Sequence, residues 1–107
     1  MFTRLVEINT KYGKTREVAD IIQQKVLPIL NKQQGFIDEI MLLSTTELNR
    51  IVALSFWKSA EDAELYRREQ FLRVEELLKP MLEVAPKIHT FDVDLFTTHK
   101  IAMGKAA

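Results

Sequence analysis

The run Ile51-Val52-Ala53-Leu54-Ser55-Phe56-Trp57 is apolar at both odd and even positions, and Ile40-Met41-Leu42-Leu43 does the same. Side chains of a strand point alternately to opposite faces, so strands of this kind need cover on both sides. The remaining sequence limits what can supply it. Two stretches carry helical spacing: Val18, Ile21, Ile22, Val26, Ile29 and Leu30, then Phe71, Val74, Leu77, Leu78, Met81 and Leu82. Two helices cover one face of a four-stranded antiparallel sheet. The other face would expose more apolar area than the few hundred Å² (roughly) that a monomer carries. A second copy of the chain, packed sheet to sheet, removes the difficulty, and a homodimer is predicted.

Along the chain, Phe2 to Asn9 reads as a first strand, closed by the turn Lys11-Tyr12-Gly13-Lys14. Thr15 is the expected N-cap of the first helix, with Glu17 in its first turn, and Pro28 should kink the last turns. Gly35 stops that helix, Phe36 to Ser44 forms a second strand, and Thr45 to Asn49 is a polar turn before the third, Arg50 to Trp57. Ser59-Ala60-Glu61-Asp62 resembles a capping box. A break is expected near Glu69-Gln70, Pro80 interrupts late, and Pro86 closes the helical region. Lys87 to Thr98 reads as the last strand, with His89, Phe91, Val93 and Leu95 on one side. The order β-α-β-β-α-β is that of a ferredoxin-like α+β fold with helices on one sheet face. At 107 residues one domain is expected. It spans 2–98, and 99–107 reads as a flexible C-terminal tail.

Fifteen basic residues balance fifteen acidic ones, which leaves no basic stripe for nucleic acid. There is no cysteine, so disulfides, thiolate chemistry and sulfur-ligated metals are excluded. Neither histidine has ligand spacing with an Asp or Glu, and no Gly-rich phosphate loop is present, so neither metal nor cofactor is expected. Met1-Phe2-Thr3-Arg4 lacks the apolar core of a secretion signal, and no apolar run nears the ~20 residues of a membrane span. The expected location is the cytoplasm.

Several side chains could serve a site. Trp57 and Tyr66 could border a pocket between helices and sheet, with Phe56 or Phe71 as its wall, or Trp57 could be core. A buried Tyr66 would need a partner for its hydroxyl. His89 could act as a base near neutral pH, or be a hydrogen-bonded structural histidine. Glu7 and Asn9 share a strand face with Leu5 and could either bond a ligand or sit at a solvated rim. Glu64–Arg68 and Glu69–Arg73, spaced i,i+4, read as a solvated helix face.

Gly35-Phe36, the segment Ser55-Phe56-Trp57-Lys58-Ser59-Ala60-Glu61-Asp62-Ala63-Glu64-Leu65-Tyr66, Phe71 and the lead from Pro86 to Phe91 carry a resemblance. Over residues 2 to 96 the chain resembles the antibiotic-biosynthesis monooxygenase family, within the dimeric α+β barrel superfamily. The resemblance implies a cofactor-independent monooxygenase acting on a small planar aromatic or quinol-like substrate. Such substrates, once deprotonated, reduce O₂ themselves, and the protein need only bind, orient and favour the anion. Tyr66 would then hold the substrate oxygen, Trp57 would pack on its ring, and His89 or Glu7 would assist proton removal. The superfamily also implies an alternative, a non-catalytic dimer that binds a small apolar molecule or acts in stress. Its haem-degrading members use an asparagine on strand one and a tryptophan and a histidine on helix two. Those positions fall near Val6 or Glu7, on Tyr66, and on or near Glu75 here, and none matches, so haem is the weakest of the three readings.

Overall fold

The structure is a computed structural model and describes residues 1–95. Strands β1 (Phe2–Asn9), β2 (Phe36–Leu43), β3 (Arg50–Trp57) and β4 (Lys87–Asp92) form one antiparallel sheet in the order β2-β3-β1-β4. This is the ferredoxin-like arrangement expected from the element order. The two helical regions lie on one face of the sheet. There they bury Ile8, Ile51 and Trp57 against Val18, Ile22, Val26, Leu30, Tyr66, Val74 and Leu78.

Strand register sorts every side chain to a face. Glu39, Ser55, Arg4 and Thr90 stand opposite one another across the four strands, on the helix-covered side with Ala53 and Val6. The adjacent row, Ile40, Leu54, Leu5 and His89, points the other way. That second face is open in the single chain. It carries the half-buried Leu5, Ile40, Val52, Leu54 and Phe56 and the exposed Leu42 and Phe91.

Both helical regions contain a wide turn. The first runs as Thr15–Ile21, a π-helical turn Ile22–Val26, then Leu27–Asn31. The irregular turn thus lies before Pro28, and the turns after it are α-helical. The proline ring crowds the carbonyl four residues back, at Gln24, in the middle of the widened turn. The second region runs Ala60–Tyr66, a π-helical turn Arg67–Phe71, Leu72–Leu78 and a 3₁₀ turn Lys79–Met81. Its wide turn holds the break expected near Glu69-Gln70. The Ser59 hydroxyl accepts from the Asp62 amide at 3.2 Å, which is half of a capping box.

Gly35 ends the first region at φ +76°, and a Cβ there would collide with the Asp62 side chain. Asp62 is held in that place by Gln34, whose Nε2 donates to Oδ1 at 2.9 Å. Glycine therefore meets two demands at once, a left-handed backbone and close approach between β2 and the second helical region.

Three expectations are corrected. Thr15 is not the N-cap: Lys14 holds that position without a side-chain cap bond. The Thr15 hydroxyl bonds Thr10 Oγ1 (3.1 Å) and Asn49 Oδ1 (3.3 Å), tying the helix start to two loops instead. Strand β2 stops at Leu43, because the Ser44 hydroxyl turns to accept from the Thr46 and Glu47 amides. Strand β4 stops at Asp92, which pairs with Phe2, the first residue of β1. Val93 reaches only the Met1 carbonyl, and the side chain of Leu95 is exposed. The remainder of the expected strand at 96–98, and the tail 99–107, lie outside the described residues.

Candidate active site

A narrow cavity of about 40 Å³ opens between the helices and the covered face of the sheet. Its body is apolar: Val6, Ile8, Ile22, Val26, Leu30 and Val74 are among its walls. Its polar end is built by Arg4 from β1, Glu39 from β2, Ser55 from β3 and Tyr66 from the second helical region.

Arg4 is buried, 3% exposed. Its guanidinium lies over two rings, with its central carbon 4.6 Å from the Phe71 centroid and 5.2 Å from that of Tyr66. Such contacts favour a cation at a desolvated site. Tyr66 and Phe71 are five residues apart and meet edge to face at 6.2 Å. The π-helical turn between them makes this possible, since residues five apart stack along a wide turn. Burial pushes the Arg4 guanidinium below its ordinary value, while attraction to Tyr66 opposes that shift. Burial also pushes the Tyr66 phenol up to about 12, with Arg4 pulling the other way. Burial pushes the Glu39 carboxyl up to about 8, with Arg4 opposing and Asp38 adding to the rise. Arg4 Nη2 and Glu39 Oε2 are shielded from solvent and have no hydrogen-bond partner.

Of the side chains singled out from sequence, Tyr66 and Phe71 line this cavity. Trp57 does not. It is fully buried behind Tyr66, ring centroids 5.2 Å apart, and meets Phe36 edge-on at 5.5 Å. Its Nε1 donates to the Ser55 hydroxyl at 2.9 Å, so the indole braces the cavity floor from below. Glu7, Asn9, Phe56 and His89 are on the opposite face of the sheet. Two of them meet there: His89 Nε2 is 3.4 Å from Glu7 Oε2, and Arg50 Nη2 donates to Glu7 Oε1 at 2.7 Å. They form a partly exposed polar cluster, separated from Tyr66 by the sheet itself. The helix charges pair as Glu64–Arg67 rather than Glu64–Arg68.

Arg4 and Glu39 went unnoticed in the sequence. The signal for Arg4 was parity, since it alternates with Val6 and Ile8 on the covered face. Among the described residues no three His, Asp or Glu side chains converge in a way that could hold a metal ion. Nor is any described helix long and apolar enough to cross a membrane.

The sequence model for antibiotic biosynthesis monooxygenases matches residues 1–78. The chain belongs to this family. The matched part holds β1 to β3 and the second helical region through Leu78, and so every polar residue at the end of the cavity. No curated protein matches the chain in sequence. Among solved structures, a monooxygenase of Streptomyces coelicolor, ActVA-Orf6, in complex with nanaomycin D, superposes with a TM-score of 0.78 at 16% identity. The match covers 92% of this chain and 91% of that one. SnoaB, a cofactor-independent oxygenase of Streptomyces nogalater, gives 0.76 at 14% identity, covering 92% and 97%. A protein of unknown function from Nitrosomonas europaea also gives 0.76 at 14% identity, covering 92% and 93%. At these identities the likeness is one of fold, and this family member must be read from its own side chains.

Proposed function

We propose that the protein is a cofactor-independent monooxygenase that takes a small planar aromatic or quinol-like substrate into the cavity bordered by Tyr66 and Phe71. The observation that carries this reading is the buried Arg4, with a free N–H at the polar end of a largely apolar slot that Glu75 also lines. A site of this kind stabilises negative charge as it develops on a substrate oxygen, because its donor is already oriented and already out of water. The electron-rich anion then passes electrons to O₂. One oxygen atom joins a carbon of the substrate, and the other leaves as water with two hydrogens that the substrate gives up. Membership of the monooxygenase family, and the fold shared with SnoaB and with the nanaomycin-bound ActVA-Orf6, support the same reading.

One observation favours ligand binding without turnover: among the described residues no histidine lines the cavity. The two readings share the pocket and differ only in oxygen chemistry.

The dimer is part of the proposal. The open face holds Leu5, Ile40, Val52, Leu54 and Phe56 in adjoining rows, with Leu42 and Phe91 exposed at its margins. Facing copies would cover it.

Binding is read through Trp57, the only tryptophan of the chain, which sits directly behind Tyr66. An aromatic ligand should quench its fluorescence. Tyr66→Phe should weaken binding by about 1 kcal/mol if the hydroxyl makes one neutral hydrogen bond to the ligand. Unchanged affinity in a folded Tyr66→Phe protein would show that the hydroxyl does not bond the ligand.

A further inference from the structure

We propose that Arg4 and Glu39 are two halves of one receptor for an aromatic ligand that carries a single negative charge on oxygen, Arg4 taking the charge and Glu39 holding the adjoining proton. The inference rests on the cavity being the ligand site, and not on turnover.

The sheet register places the pair. Glu39 and Arg4 flank Ser55 in one row, two strands apart, so a small side chain lies between two long ones. Among the described ion pairs, none joins Arg4 to Glu39. Each side chain instead keeps one buried polar atom without a partner, Nη2 on Arg4 and Oε2 on Glu39, and both side chains line the same cavity. Unsatisfied buried polar groups are costly, and two of opposite kind flanking one slot call for a ligand group that satisfies both. Phe71 and Tyr66 hold the guanidinium in place, which leaves the ligand head rather than the arginine to adapt.

Charge gives the sign. Burial keeps Glu39 protonated at neutral pH and Tyr66 as the neutral phenol. The charged groups that act on Glu39 are Arg4 on β1 and its neighbour Asp38 on β2; from the second helical region Tyr66 lies near it, and Glu75 lines the same cavity. The first helical region contributes Ile22, Val26 and Leu30, none of them titratable. At neutral pH the polar end is thus a guanidinium beside a neutral carboxyl, and a buried cation in that state favours an anion. The ligand oxyanion would accept from Arg4 Nη2 and from the Glu39 O–H, and the proton would be shared between the two oxygens. As pH rises through about 8 the carboxyl ionises, becomes the counter-ion of Arg4 and repels the ligand.

The test uses 2-naphthoate, which remains ionised throughout, and its neutral isostere 2-naphthamide, with the full chain and calorimetric titration. Naphthoate affinity should hold steady up to about pH 7.5 and then fall by about tenfold per pH unit, the slope for one linked proton. Binding above about pH 8 should take up one proton per ligand, read from buffers of different ionisation enthalpy. This arm needs no variant. Glu39→Gln should bind naphthoate with no fall, and Arg4→Met should lose the preference for naphthoate over naphthamide. Naphthoate affinity independent of pH, a fall of equal slope in Glu39→Gln, or failure of naphthoate to bind would each overturn the proposal. Naphthoate has no oxidisable ring hydroxyl, so absence of oxygen uptake with hydroquinones would refute the monooxygenase reading while leaving this result intact.

Discussion

Replacing Leu54 by lysine is expected to turn the protein into a folded monomer. Leu54 lies at the middle of the open face, opposite Leu5 on one side and Ile40 on the other. It is half-buried in the single chain, so a lysine there can extend into water and leave the covered core untouched. In a two-fold dimer the same position is buried, and the symmetry brings two lysines into one interface. An unpaired buried charge costs several kcal/mol, and about 4 kcal/mol weakens association roughly a thousandfold. Light scattering at micromolar concentration should give a dimer for the wild type and a monomer for Leu54→Lys, with unchanged far-ultraviolet circular dichroism. A wild-type monomer, or a dimer that tolerates the lysine, would show that another surface covers the sheet.

Glu39→Gln is expected to stabilise the protein at alkaline pH and to change little in acid. The Glu39 carboxyl rises from 4.5 to about 8 in the folded chain, so the folded state binds its proton more tightly than the unfolded state does. Stability is then retained below about 4.5 and lost progressively as pH climbs to about 8. Each unit of such a shift corresponds to about 1.4 kcal/mol, so the loss amounts to several kcal/mol. Glutamine cannot ionise and escapes it. Urea unfolding at about pH 5 and about pH 9 should show near-equal midpoints at the lower pH and a clear advantage for the variant at the higher. Parallel pH profiles for the two proteins would mean that Glu39 is solvated.

The same features of the strands explain what could and could not be read from the sequence. Apolar runs on both faces of β3, glycine at position 35 and two interrupted helical stripes are local signals, and each led to the right element. Site geometry depends on which face a side chain takes. In β3 strict alternation puts Trp57 with Ile51, Ala53 and Ser55 and sends Phe56 to the other side, so one pocket could not hold both aromatics. Parity in β1 likewise joins Arg4 to Val6 and Ile8 and separates them from Glu7 and Asn9. That information was present, but a charged residue in a strand is ordinarily taken for surface. Glu39 could not be placed in this way, because the register shifts between Phe36 and Asp38 and alternation counted from Phe36 fails beyond that point. The meeting of Tyr66 with Phe71 depends on a wide turn whose existence, but not its geometry, the sequence disclosed.

Oxygen chemistry in the cavity is tested most directly by incubating the protein with a panel of hydroquinones and anthrones under isotopically labelled O₂, without added metal or flavin. The account predicts uptake well above the protein-free control for at least one substrate, one O₂ consumed per product and one labelled atom in that product. It also predicts a fall of at least about tenfold in Arg4→Met, the loss expected when a preorganised oxyanion donor is removed. Substrates that quench Trp57 but consume no oxygen beyond the control, or product that carries no label, would contradict it and leave a binding protein.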